Sequence, residues 1–270
     1  MLLSYSFSNF QSFRELTQVS TTVSEKVAPS DWLTATSTGE RINKVIAVMG
    51  ANGSGKTTLL KPLVFLDWFI SHSFSQAPEA AIPFTPHFAT TNEATEFSAT
   101  AIYKGQIWKY VLRCIPERVI HEALYVKKER FKYVFVRDWD DSTQTYRIKQ
   151  QDFGFAPVEA RKVRANASLI STAAQYGIPL AKDMASSGLR SNITALGRQP
   201  LSQDLVLNAA AHFSQLSEQR TIMARLLHDW DLGLSNVELE EISVAQPDGS
   251  NNKIWLPVGI HQTASGPRRL

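Results

Sequence analysis

Three stretches of this chain alternate apolar and polar residues, the pattern of strands with one buried face. Residues 1–22 predict two short strands joined by a turn. Residues 96–148 contain several β-like runs separated by turn residues, and they predict an antiparallel meander. Residues 237–258 predict a hairpin around Asp248-Gly249. The chain should therefore contain much antiparallel sheet.

Helical periodicity marks two other regions. Residues 57–70 place apolar side chains three and four positions apart, which predicts an amphipathic helix with Pro62 close to its first turns. Ser202 is a candidate N-cap for a helical pattern that continues to Trp230. Residues 76–92 contain three prolines and predict a connector.

A continuous apolar run at residues 45–49 differs from these alternating patterns. Its sequence, VIAVM, is typical of a strand that is buried on both faces, and Gly50 follows it directly. We therefore expect a buried strand at 45–49 and a helix soon after it.

The segment that joins this strand to the helix reads GANGSGKT and satisfies the pattern G-x-x-x-x-G-K-[S/T]. Glycines let backbone N–H groups approach phosphate oxygens, and a helix N-terminus adds partial positive charge. Lys56 would contact the β and γ phosphates of ATP, Thr57 would ligate Mg²⁺, and Thr58 would face the α-phosphate. A glycine-rich turn that only caps a helix does not explain a lysine at this position. The predicted nucleotide-binding residues of the loop are Gly50, Asn52, Gly53, Ser54, Gly55, Lys56, Thr57 and Thr58.

Composition and charge narrow the class of protein. Hydrophobic residues make up 43% of the 270 residues and charged residues 20%, as in globular domains. The net charge of +3 gives no electrostatic reason to expect a nucleic-acid partner. The single cysteine, Cys114, excludes an intrachain disulfide and is interpreted as a small buried hydrophobe. The N-terminus lacks the features of a signal peptide, and no apolar stretch approaches the ~20 residues of a membrane span. We therefore expect a cytoplasmic protein that does not contact a membrane.

Three segments together resemble the ABC-type AAA-family ATPases of prokaryotic anti-phage defence operons. They are FSNFQSF at residues 7–13, the phosphate loop with its extension GANGSGKTTLLK, and NASLISTAAQ at residues 166–175. Related ATPases include those of the overcoming-lysogenization-defect, PARIS, Septu and retron systems and, more distantly, the heads of DNA-repair ATPases. The resemblance implies an α/β P-loop NTPase of ABC type with an antiparallel β lobe and a helical lobe.

The resemblance also implies a division of the chain into three parts. Residues 1–92 would form the N-terminal ATPase lobe with the phosphate loop, and residues 93–160 the β meander of the same head. Residues 161–270 would form the helical lobe, which ends at a motif similar to the ABC signature.

Two further site assignments come only from the resemblance. Gln175 stands where the family has a glutamine that senses Mg²⁺ and water at the nucleotide; the alternative is an exposed polar residue at a strand end. Ser265 and Gly266 resemble the signature pair that contacts the γ-phosphate bound by an opposite protomer; the alternative is a turn with a basic tail. Gln11 departs from the family, whose members often carry Arg or Lys there.

The implied function is that of an ATP-binding head. Its nucleotide state would control assembly into a homodimer or higher homo-oligomer, and would restrain or release a partner effector such as a nuclease or toxin. In this family a strand that ends in Asp-Glu follows the signature, and this sequence stops at Leu270 without one. We therefore expect the C-terminal half-lobe to be missing, assign no catalytic residue, and expect ATP hydrolysis only where another segment supplies the acid.

Two other functions remain open at this point. One is a small-molecule P-loop kinase, which would need an acidic base close to the loop. The other is a nucleotide-dependent scaffold that binds ATP without hydrolysing it. DNA is a candidate partner that the charge does not support.

Overall fold

The computed structural model describes residues 1–186, 189, 191–194, 202–230, 233–245, 251–263 and 265–269. The chain divides into two compact units, residues 1–198 and residues 199–270. Within the described ranges, no helix is long and apolar enough to cross a membrane.

The first unit is built on an antiparallel sheet of seven strands in the order β2-β1-β5-β6-β7-β8-β9. A separate two-stranded hairpin, β3 and β4, lies between β2 and the phosphate loop in sequence. The strands are β1 Leu2–Ser8, β2 Thr17–Ser20, β3 Leu33–Ala35, β4 Arg41–Asn43, β5 Thr95–Tyr103, β6 Gln106–Ile115, β7 Arg118–Lys127, β8 Phe131–Asp140 and β9 Thr145–Gln150.

Alternation along the strands explains the core of this sheet. In β1 the side chains of Tyr5 and Phe7 are buried, whereas Ser4 and Ser6, which alternate with them, are half-buried on the opposite face. The predicted strand pair at the N-terminus and the predicted meander are both confirmed. The meander also contains β7, whose pattern is harder to recognise because a charged residue, Glu122, lies on its buried side.

Four helices cover one face of the sheet: α1 Lys56–His72, α2 Pro157–Ala160, α3 Leu169–Gln175 and α4 Pro179–Ser186. The predicted helix at 57–70 is therefore confirmed. Phe65 and Phe69 of α1 are buried one turn apart, and the Phe65 ring lies 4.7 Å from that of Phe97 in β5. This aromatic packing fixes α1, and with it the start of α1, against the sheet.

The predicted buried strand at residues 45–49 is wrong. Val45, Ile46 and Met49 are 63%, 44% and 86% exposed, and the segment belongs to none of the described strands. A strand that is buried on both faces needs a hydrogen-bonded neighbour at each edge. The described strands pair with one another in an order that leaves this segment without such neighbours.

The second unit contains two helices and a three-stranded antiparallel sheet: α5 Gln203–Ser214, α6 Ser217–Asp229, β10 Asn236–Ala245, β11 Asn251–Thr263 and β12 Gly266–Arg269. The Ser202 hydroxyl accepts a hydrogen bond from the Leu205 N–H at 3.2 Å, which confirms the predicted cap. The helical pattern to Trp230 is divided into two helices. The predicted hairpin is confirmed, while its turn at Asp248-Gly249 lies outside the described residues.

The boundary between the two units follows residue 198, whereas the resemblance implied a helical lobe that begins at residue 161. Residues 161–186 follow α2 and carry α3 and α4, which pack within the first unit. One contact that joins these helices to the sheet is a hydrogen bond from the N–H of Leu169, at the start of α3, to the buried carboxylate of Glu122 in β7.

Candidate functional site

The phosphate loop lies between the exposed apolar run and the first turn of α1. Gly55 is the N-cap of α1 and has a φ of 88°, in the left-handed region that favours glycine. A Cβ at this position would lie 3.3 Å from Cε2 of Phe13, whose ring rests against the glycine. The loop therefore requires glycine here both for its backbone angle and for its contact with residues 12–13.

The Lys56 side chain folds back over the loop. Its Nζ donates hydrogen bonds to the carbonyl oxygens of Gly50 at 2.8 Å and Ala51 at 2.7 Å. The ammonium is thus held beside the loop backbone rather than extended into solvent. Residues 51–54, by contrast, are exposed.

The N-terminus of α1 supplies unpaired donors next to this ammonium. The first N–H groups of any α-helix have no intrahelical acceptor, and in α1 the first such bond is from Leu59 N–H to Gly55 oxygen at 2.8 Å. Residues 55–59 provide no capping side chain and no acidic residue in the first turn. Backbone donors, a helix dipole and a lysine are the features that favour a bound anion, and the exposed Thr57 hydroxyl lies at the same turn.

The turn that follows β1 lies against this site. The Gln11 side-chain oxygen accepts hydrogen bonds from Lys61 Nζ at 3.0 Å and from Thr58 Oγ1 at 3.5 Å. Thr58, expected at the α-phosphate, is half-buried and directed towards Gln11. Gln11 therefore positions two residues of α1. The sequence analysis noted it only as a departure from the family.

Asn9 anchors the same turn and was missed by the sequence analysis. It is buried with a φ of 54°, and its side chain donates to the Thr90 and Glu93 oxygens and accepts from Thr90 Oγ1 and the His87 N–H. A positive φ at a buried, fully hydrogen-bonded Asn indicates a position held by its surroundings. No sequence pattern could have shown this, because the partners are about 80 residues away.

Gln175 lies at the exposed C-terminal end of α3. The adjacent Tyr176 lines a cavity together with Phe74, which follows the C-terminal end of α1. Lys56 begins that helix, whose 17 residues span roughly 24 Å at 1.5 Å per residue. The structure of this unit does not bring Gln175 to the phosphate loop, and the assignment stays a prediction.

Ser265 and Gly266 lie in the second unit, at the turn between β11 and β12. Thr263 pairs with Gly266 across this turn, and the Thr263 hydroxyl donates to the Gly266 oxygen at 2.6 Å. Gly266 is the first residue of β12, so the pair leads into a strand. Its predicted contact with a second nucleotide is untested by this arrangement.

Three acidic residues in the described part of the chain lie in other structural settings. Asp138 in β8 contacts His121 Nδ1 at 2.6 Å across the sheet, and Asp229 ends α6. Glu122 is fully buried, accepts from Ser168 Oγ at 2.7 Å and faces the fully buried Arg137 at 3.3 Å. These contacts support the structure, and they identify no general base beside Lys56.

Cys114 is fully buried in β6, as expected. Burial, with a smaller contribution from Glu122, raises the pKa of its thiol well above the usual value. A thiol in this state is a poor nucleophile.

Comparison with known proteins identifies a family for this site. A sequence model of the family described as "AAA domain, putative AbiEii toxin, Type IV TA system" matches residues 45–207, more than half of the chain. The match begins at the apolar run, includes the whole phosphate loop and ends within α5. No curated protein and no solved structure matches the chain.

Proposed function

The chain belongs to this family of AAA domains and is a P-loop ATPase-type nucleotide-binding domain, and from that premise we propose a more specific function. The protein is an ATP-binding head whose nucleotide state controls the association of two heads. Association restrains or releases a partner effector in anti-phage defence. The family description, which names a toxin of a type IV toxin–antitoxin system, supports the choice of a toxic effector.

The observation that carries the nucleotide assignment is the loop itself. Lys56 is held by two loop carbonyls beside the open N-terminus of α1. Phosphate oxygens would accept hydrogen bonds from the free N–H groups, and the ammonium would neutralise part of their charge. Mg²⁺ would be held by the Thr57 hydroxyl together with phosphate oxygens and water.

The exposed run at 45–49 supports a role for association. Val45, Ile46 and Met49 present apolar side chains to water directly before the loop. Covering such a segment is favourable at about 25 cal/mol per Å² of apolar surface. A second segment that adds beside this run would also be placed next to the phosphates, where it could supply the acid for hydrolysis.

Binding of Mg·ATP is tested by titration calorimetry of the purified protein. We expect Lys56→Ala to weaken binding at least tenfold without changing the melting temperature by more than a few degrees. Lys128→Ala, in the exposed turn between β7 and β8, is the matched control and should bind like the wild type. Equal affinities of wild type and Lys56→Ala would overturn the nucleotide assignment.

Association of heads needs a separate measurement. Light scattering with and without a non-hydrolysable ATP analogue should show a nucleotide-dependent increase in mass. Ser265→Arg should abolish this increase while the affinity for ATP stays the same, if the signature assignment is correct. If the mass of Ser265→Arg still increases with nucleotide, residues 263–269 are an ordinary hairpin and the signature assignment is wrong. If the mass of the wild type does not increase, control by association is contradicted.

A further inference from the structure

A cavity of about 480 Å³ lies in the first unit, between the sheet and the helices that cover it. Its walls are mainly apolar and include Leu63 and Ile70 of α1, Trp108 of β6 and Met184 of α4. The volume lies within the range of small-molecule sites, roughly 300–1,000 Å³. A cavity of this shape and lining can take the apolar body of a ligand.

Among the described residues that line this cavity, Asp67 has the only acidic side chain. One of its carboxylate oxygens accepts the Leu189 N–H at 2.7 Å, and no side chain in the described part of the chain forms an ion pair with it. Burial raises the pKa of Asp67, and the Leu189 hydrogen bond and the nearby His72 oppose this effect only in part. The contacts of the carboxylate therefore replace only part of the solvation energy that it loses on burial.

Met1, which also lines the cavity, carries a positive charge at its N-terminus. The N-terminal ammonium of Met1 donates to the Ile102 oxygen at 2.7 Å. Because that oxygen is neutral, the bond holds the ammonium at Ile102 and leaves the Asp67 carboxylate without an ion-pair partner among the described side chains. A half-buried carboxylate is stabilised most by a cation that brings its own hydrogen-bond donors.

We propose that this cavity is a second ligand site, which takes an apolar molecule carrying one ammonium group, with Asp67 as its counter-ion. Asp67 lies 11 residues after Lys56 on α1, roughly 16 Å along the helix axis. The site is therefore separate from the phosphate loop and does not depend on the proposed function.

Three probes that share one apolar body test the proposal: 4-phenylbutylammonium, 4-phenylbutanol and 4-phenylbutanoate. We expect calorimetry on the full chain to show saturable binding in the order ammonium, alcohol, carboxylate, with at least tenfold between the first and second. Asp67→Asn should remove the preference for ammonium over alcohol while keeping the affinity for alcohol. Asp31→Asn, an exposed aspartate before β3, is the matched control.

A second variant tests the location of the site without removing the charge. Ala99 of β5 lines the cavity, so Ala99→Leu should weaken all three probes by filling space. Lys56→Ala should leave ammonium binding unchanged, and Asp67→Asn should leave ATP binding unchanged, which separates this proposal from the nucleotide assignment. Absence of saturable binding by the wild type, or an ammonium preference that persists in Asp67→Asn, would overturn it.

Discussion

Two apolar regions of the first unit differ in the burial of their side chains. The strands β5, β6 and β8 contain β-like runs of apolar residues, pair with neighbours on both edges and bury Phe97, Leu112 and Phe135. The run at 45–49 is more continuously apolar, yet most of its side chains face solvent. Apolar content alone therefore does not determine whether a β-like segment is buried.

The difference lies in where each segment finds its hydrogen-bond partners. Strands of the meander are joined by short turns, so each neighbour is supplied within a few residues. The run at 45–49 is followed by a loop and a helix, as in a parallel β–α unit, and such a strand is paired by a distant segment. The described strands of this chain do not include that segment.

The largest expected effect tests how strongly the sheet is fixed. Glu122→Gln removes the charge that compensates the fully buried Arg137, and it weakens the hydrogen bonds to Ser168 and Leu169. We expect a loss of about 3–5 kcal/mol in the free energy of unfolding, measured with urea, because one partner of a buried ion pair is left uncompensated.

The exposed ion pair on the same sheet is the control for this prediction. Glu96 and Arg113 lie 3.3 Å apart with more than half of each side chain exposed. Glu96→Gln should change the free energy of unfolding by at most about 1 kcal/mol. Similar losses for Glu122→Gln and Glu96→Gln would show that the Glu122–Arg137 pair is not buried in solution.

These two regions also show what a sequence can and cannot predict. Alternation predicted the meander, and the motif predicted the loop and α1, because both depend on neighbours close in sequence. Two features depend on partners far along the chain: the exposure of residues 45–49 and the hydrogen bonds of Asn9. The strand β7 was not predicted because the charged Glu122 interrupts its apolar pattern. Sequence patterns do not contain these long-range pairings.

A smaller effect is expected at the junction of the two regions. Gly55→Ala places a Cβ against the Phe13 ring and forces a non-glycine residue to a φ of 88°. The left-handed conformation costs about 1–2 kcal/mol for such a residue. We expect the free energy of unfolding, measured by thermal denaturation, to fall by that amount and ATP binding to weaken. Gly105 has a similar φ in an open turn, so Gly105→Ala should lower stability and leave ATP binding unchanged.

A pH-dependent effect is expected on the face of α1 that meets the sheet. The folded-state pKa of Asp67 is raised by burial, so the folded protein binds this proton more tightly than the unfolded chain does. The stability contributed by this proton is present below the unfolded pKa and is lost as the pH rises through the folded pKa.

The measurement is the melting temperature of wild type and Asp67→Asn against pH. The variant should be the more stable at pH 7, by a small margin because Asp67 is only half-buried, and the margin should shrink as the pH falls through the raised pKa of Asp67. A margin that grows on acidification would contradict the raised pKa.

The smallest effect on stability is expected for Ile46→Ser, and it tests the comparison most directly. Ile46 is 44% exposed in an unpaired segment, so its loss should change the free energy of unfolding by no more than about 0.5 kcal/mol. Ile107→Ser in β6, where the side chain is 6% exposed, is the matched substitution and should cost about 2–5 kcal/mol. If Ile46→Ser instead cost as much as Ile107→Ser, the run at 45–49 would be covered in solution, and the distinction between the two regions would fail. If its stability is unchanged while association with a non-hydrolysable ATP analogue is lost, the exposed run is where a partner segment binds.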